Sequence, residues 1–267
     1  MKYGFPRFAA AAAFMACATA ALAGDLTGNA AVVSDYEVRG LTQTWGRPAV
    51  QGGLDYTAAN GLAAGVWGSN IGKNSFPGGG AEIDVYGSYG QPINSDWSWR
   101  AGLHSYFYPG ANLDRSNPPL GSRRFNTLEA NLALSWKWLT LTYNRALTDY
   151  FGADTEQGYR GGSRGTSYLQ VDADLPLADK WDLALHAGHT FYTTTLVVPL
   201  AGGATDPSYS DFGATLKWQF RPHWSASVSA IYATNAAFYR HTVSFLDGND
   251  VHALGGARAI VMVQATF

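Results

Sequence analysis

The chain has 267 residues, with 18 Lys and Arg against 20 Asp and Glu and a single cysteine. A slightly acidic balance argues against nucleic acid as a partner, because phosphate binding needs a basic surface. Only 14% of residues are charged, well below the ~25% of a typical soluble domain, which fits a surface that faces lipid on one side and short turns on the other.

At the N-terminus, Lys2 and Arg7 precede an apolar run over 8–20 and the small-residue pattern Ala21-Leu22-Ala23. This reads as a secretory signal peptide over 1–23, cut before Gly24. The run is too short for a spanning helix, and no later stretch is long and apolar enough for one. Cys17 lies inside the signal, so disulfides and thiol chemistry are excluded from the mature domain, 24–267. Removing Lys2 and Arg7 takes basic residues from 18 to 16 against 20 acidic, a formal charge of −4.

Twelve segments alternate apolar and polar residues with period two, as strands do when their faces meet different solvents. They are 29–40, 48–57, 62–71, 81–90, 97–107, 125–135, 138–148, 167–175, 181–192, 209–220, 224–234 and 257–267. In the sixth, Leu128, Ala130, Leu132 and Leu134 oppose Glu129, Asn131, Ala133 and Ser135. In the tenth, Phe212, Ala214, Leu216, Trp218 and Phe220 oppose Asp211, Gly213, Thr215, Lys217 and Gln219. In hydrocarbon every backbone polar group must be paired, and strands achieve this only in a closed sheet. The fold expected is all-β: a transmembrane antiparallel up-and-down β-barrel of about 12 strands.

The connections alternate in length. Short links cover 58–61, 91–96, 136–137, 176–180 and 221–223. Long ones, rich in Gly, Pro, Asn and Ser, cover 72–80, 108–124, 149–166, 193–208 and 235–256; the first of this series, 41–47, is modest. Bacterial outer-membrane barrels have short periplasmic turns and long extracellular loops, so both termini are expected in the periplasm. Trp97, Trp99, Trp136, Trp138, Trp181, Trp218 and Trp224 adjoin the short turns, the expected inner aromatic girdle. Phe107, Tyr150, Phe191, Tyr192, Phe238 and Tyr239 mark the outer one. A β-sandwich also has many short strands, but gives no reason for either regularity.

Parity turns Asp35, Glu37, Arg39, Asp55, Glu82, Asp84, Arg100, His104, Glu129, Asp172, Asp174, Asp182, Asp211, Lys217 and Arg258 toward the lumen. The acids outnumber the bases, which predicts a mild cation preference; cross-strand pairing that merely stiffens the lumen is the alternative. Arg145 falls on the lipid face and is expected to snorkel to the upper boundary, unless the register slips there.

Motifs for chemistry are weak. Gly161-Gly162-Ser163-Arg164-Gly165 matches a hydrolase elbow but lacks the strand before and the helix after. His186 and His189, three apart on a strand, face opposite sides and cannot share a metal. His223 and Ser225 share a face without an orienting partner. Asp172 and Asp174 read as lumen carboxylates, and Asp247-Gly248-Asn249-Asp250 as a turn. No catalytic residue, metal or cofactor is assigned. An outer-leaflet lipid enzyme would need a nucleophile and base together near the upper girdle, and the sequence reveals no such pair.

The stretch Ser34-Asp35-Tyr36, Arg39-Gly40-Leu41-Thr42-Gln43, Pro48-Ala49-Val50-Gln51-Gly52-Gly53-Leu54-Asp55-Tyr56 and Gly61 through Asn70, with Gly65-Val66-Trp67-Gly68-Ser69-Asn70, resembles the TorF family of porins. The likeness is strong over about forty residues and looser to the end; members typically carry an aromatic where Ala63 stands. It implies an outer-membrane barrel and a pore, with no catalytic residues. The C-terminal strand ending in Phe267 resembles the assembly signal of such barrels, which implies the barrel-assembly machinery as a partner beside outer-membrane lipid and small solutes. The expected activity is passive diffusion of small solutes. A lipid- or lipopolysaccharide-modifying barrel enzyme and a plugged structural or adhesive barrel are the alternatives.

Overall fold

The computed structural model describes residues 24–200 and 203–267. The expected signal peptide lies outside them. Twelve strands form the wall: β1 Gly24–Val33, β2 Ala49–Ala58, β3 Leu62–Asn70, β4 Ala81–Pro92, β5 Trp97–Phe107, β6 Thr127–Trp136, β7 Leu139–Ala146, β8 Ser167–Ala178, β9 Trp181–Phe191, β10 Tyr209–Arg221, β11 Trp224–Ala233 and β12 Gly256–Thr266. Each pairs antiparallel with its sequence neighbours, and β1 pairs with β12 to close the ring. Beyond the seam, Gly28 and Phe267 exchange both backbone hydrogen bonds, at 2.7 and 3.0 Å. Closure leaves no sheet edge, the condition for a lipid-exposed sheet.

The alternating pattern produces two faces. Leu26, Val32, Leu103, Leu132, Leu141, Leu216, Val228 and Val261 are exposed outward. Buried Asp55, Glu82, Asp84, Glu129 and Asp211 occupy the opposite parity. At the short-turn end Trp97 lies 6.2 Å from Trp136, Trp136 lies 6.1 Å from Trp138, and Trp181 stacks on Trp218 at 5.8 Å.

Three sequence expectations are corrected. The first strand is Gly24–Val33, not 29–40, because β2 pairs along all of it, from Gly24↔Ala58 to Val33↔Ala49. The modest first link is in fact the long segment 34–48, which carries a hairpin of its own, Glu37–Val38 with Leu41–Thr42. Most of the outer aromatic row also faces elsewhere. Phe107 and Phe191 are exposed on the wall, but Tyr150 and Tyr239 are buried, and Tyr192 and Phe238 pack beside Tyr239 and Tyr209. Parity cannot describe a chain that has left the sheet.

The long-link end is packed from within. Val33, Tyr36, Trp67, Ile71, Phe76, Tyr108, Leu113, Phe125 and Ile260 form an apolar core there. Links interlock by backbone hydrogen bonds: Gly72 to Gln43, Thr42 to Leu254, Asn117 to Phe245 and Phe245 to Asn74.

Candidate functional site

The centre of this packed end is the hairpin at 37–42. Arg39 and Gly40 occupy its two-residue turn with φ of +51° and +74°. Positive φ at both turn positions is the geometry that matches the twist of a two-residue hairpin. Gly40 is required twice over. A Cβ there would lie 2.8 Å from Cβ of Asp211, so the tip presses against the wall. Arginine is unusual at positive φ, and its side chain supplies the compensation.

Arg39 grips Glu129 with both arms of its guanidinium, Nη1 to Oε1 at 2.9 Å and Nη2 to Oε2 at 2.7 Å. Nη1 also donates to the Tyr150 hydroxyl at 2.8 Å, and the guanidinium carbon lies 4.2 Å from the ring centre of Tyr168. A bidentate charged pair fixes orientation as well as distance. Behind Tyr168 stands a polar cluster. The Tyr168 hydroxyl lies 3.0 Å from Asp211 Oδ2, and His186 hydrogen-bonds Asp211 at 2.8 Å and Asp172 at 2.6 Å.

The base of the hairpin is tied on its other side. Asp35 accepts from Thr42 at 2.5 Å, Thr44 at 2.7 Å and Arg258 Nη1 at 2.9 Å. Arg258 Nε lies 3.2 Å from Glu37 Oε1. Tyr36 donates to Glu82 at 2.7 Å, while His104 pairs with Asp84 at 2.9 Å. Glu37 lies outside the spanning strands, and burial pushes its carboxyl up to about 7 against the opposing pull of Arg258.

The lumen candidates therefore divide. Asp35, Glu37, Arg39, Glu82, Asp84, His104, Glu129, Asp172, Asp211 and Arg258 join in or beside the hairpin contacts. Asp55 instead receives the Tyr86 hydroxyl at 2.5 Å. Arg100, Asp174, Asp182 and Lys217 sit nearer the short-turn end; Asp182 is Cα partner to Lys217, and Arg100 is exposed. Sequence reading missed Tyr36, Tyr150, Tyr168 and His186 as members of this network. Tyr168 had a signal: it lies inside the eighth alternating segment, 167–175, and shares parity with Asp172. Above the hairpin, Val38, Leu41, Phe125, Tyr159, Tyr192 and Tyr239 help enclose a cavity of about 160 Å³.

The weak motifs resolve structurally. Ser163 is buried and accepts from the Tyr150 backbone N–H at 2.8 Å, so it closes a link. His186 faces inward, whereas His189 faces outward and hydrogen-bonds Ser210 at 2.8 Å. That nucleophile–base contact near the upper end is one the sequence did not reveal. Among the described residues, no group of three or more His, Cys, Asp or Glu is placed to hold a metal ion.

A family model described as bacterial protein of unknown function (Gcw_chp) matches residues 17–267. The chain belongs to the Gcw_chp family. A search of the curated proteins found no match. Among solved structures, the barrel of this Gcw_chp protein is similar to a KdgM porin at TM-score 0.52 and 11% identity, over 90% of this chain and 99% of that one. A KdgM porin in complex with disordered oligogalacturonate gives 0.51 and 10%, over 92% and 99%. The NanC porin gives 0.50 and 12%, over 91% and 99%. At these identities the likeness establishes a shared fold: the closed twelve-strand antiparallel barrel.

Proposed function

We propose that this Gcw_chp protein is a bacterial outer-membrane channel for passive diffusion of small solutes, narrowed at one end by the hairpin at 37–42. The observation that carries the reading is a closed barrel with an apolar outer wall and an inward face of charged and small polar residues. Such a wall suits acyl chains outside and water inside. The likeness to porin barrels and the TorF-like motif around Arg39-Gly40 support it. The long links face the exterior in this reading and both termini the periplasm, with the Phe267 strand serving barrel assembly.

Acidic side chains exceed basic ones on the inward face even after Arg39 and Arg258 are paired, which favours cations. The test is conductance in planar bilayers after refolding. Discrete single-channel steps with a cation-selective reversal potential support the reading, and anion selectivity overturns its electrostatic part. A second reading, a plugged structural barrel, draws on the packed long-link end; an absence of conductance would establish it over the channel.

A further inference from the structure

The outward rows of the twelve strands are almost free of ionisable side chains. Among the described residues, the Asp, Glu, Lys or Arg on them are Arg145 and, past a register shift at the short-turn end, Arg221, and His189 is the only histidine. Arg145 and His189 are not scattered. Arg145 is near the upper end of β7 and His189 near the upper end of β9, with only β8 between. Adjacent strands are about 4.8 Å apart, so the two backbones are separated by about 10 Å.

The register gathers further polar groups around them. Arg145 pairs with Ser167, and Ser167 with Phe191, in one row; Tyr143, Leu169, His189 and Ser210 form the next row. Arg145 Nη1 is 3.4 Å from the Tyr143 hydroxyl. His189 Nδ1 is satisfied by Ser210, and its ring lies 4.2 Å from that of Phe191. Its Nε2 makes no hydrogen bond among the described residues. Below these rows the same sector is apolar: Leu141, Val171, Leu185 and Phe212 are exposed.

More positive charge lies just above. Gly165, at φ +92°, comes so close to Arg145 that an added Cβ would sit 3.1 Å from Nη2, and exposed Arg164 is the residue immediately before it in the chain. Asp149 accepts from the backbone N–H groups of Ser163 and Arg164, and Arg123 lies 3.6 Å from it. A cleft of about 380 Å³ at this rim is lined by Arg123, Arg124, Thr148 and Asp149. Arg123 is committed to Asp149 and Asp154, but Arg124 and Arg164 are exposed and make no ion pair among the described residues.

We propose that the outer wall of β7–β9 at the long-link end binds the phosphate group of an outer-leaflet glycolipid, through Arg145, His189 and Arg164. This rests on the membrane reading given above. Acyl chains would lie along Leu141, Val171 and Leu185, while the phosphate receives charged hydrogen bonds one to two residues above the apolar belt. An arginine on a lipid face is costly at the midplane and costs little at the boundary, and arginine forks suit phosphate oxygens. Basic groups beside a spanning segment are a recurrent anionic-lipid device.

The experiment is native mass spectrometry of the refolded barrel in detergent, with bisphosphorylated lipid A, with dephosphorylated lipid A, and with inorganic phosphate as competitor. Heat-modifiable migration and single-channel conductance check folding and the membrane reading separately. Wild-type protein should retain bisphosphorylated lipid A, and Arg145→Gln or Arg164→Ala should weaken retention at least tenfold in barrels that still migrate as folded. Arg221→Ala, at the opposite end, should leave it unchanged. Equal retention of the dephosphorylated lipid overturns the proposal, as does equal retention by the link variant Arg164→Ala and Arg145→Gln. Displacement by millimolar inorganic phosphate overturns the assignment to a lipid.

Discussion

Arg39 and Glu129, ninety residues apart in sequence, meet in a two-point contact across the lumen, with 8% and 1% of their side chains exposed. The pair joins the tip of a hairpin that belongs to no wall strand to β6 on the wall. Truncating one member would strand the other charge in a buried setting, which costs about 3–5 kcal/mol. Arg39→Ala is therefore expected to undock the hairpin, raise single-channel conductance and loosen 34–48 in hydrogen exchange. Arg39→Lys should fall between, because a lysine cannot reproduce the fork. An unchanged conductance trace for Arg39→Ala would remove the hairpin as the constriction.

The hairpin tip should be equally sensitive to a single methyl group. Gly40→Ala places a Cβ against Asp211 at a positive φ that alanine disfavours. It should mimic Arg39→Ala in conductance while leaving the barrel folded, since no wall hydrogen bond is touched. Loss of heat-modifiable migration would show that the tip is needed for barrel formation.

A wall glycine makes room for the tyrosine under Arg39. An added Cβ on Gly188 would lie 2.1 Å from the Tyr168 hydroxyl. Tyr168 is buried and held by Asp211 and Arg39, so it has nowhere to go. Gly188→Ala is expected to cost about 1–3 kcal/mol in urea unfolding from vesicles, the range for overpacking. A loss within experimental error would show that the ring can shift freely.

Glu37 makes the docked hairpin sensitive to pH. Burial raises its carboxyl to about 7, above its ordinary value, so the docked state favours the protonated form. Docking is strongest at low pH and weakens as pH rises through about 7. Conductance should accordingly climb between the ordinary carboxyl value of 4.5 and about pH 7 and level off above it, and Glu37→Gln should flatten that climb. A climb of the same size in Glu37→Gln would assign the titration to another group.

The face assignment can be tested by neighbours. Leu216 is exposed outward between Leu183 and Val228, so Leu216→Arg should cost about 2–4 kcal/mol in vesicle unfolding. Thr215→Arg, on the opposite face, should cost far less and lower cation selectivity. Equal destabilisation by the two would reverse the inside and outside of β10.

Period-two alternation is a local property, and the wall followed from it. Leu128 to Leu134 and Phe212 to Phe220 declare their outward face because successive side chains on a strand must point to opposite sides. Link lengths and tryptophans at the short turns were equally readable, and eleven of the twelve strands have boundaries near the expected ones. The first strand slipped because Ser34 to Gly40 also alternates, and nothing local distinguishes a wall strand from a hairpin turning inward. The cap aromatics were misplaced for the same reason: Tyr150 and Tyr239 resemble girdle residues in one dimension, and only the surrounding links bury them.

By itself, then, the sequence determined a cylinder of strands, its two faces and its two ends, because these rest on neighbours one or two residues apart. Tertiary structure decided what fills the cylinder. Arg39 finds Glu129 and Arg258 finds Asp35 only once the wall has brought distant segments together, and Arg145 and His189 come into one sector of the outer wall through the register of β7, β8 and β9.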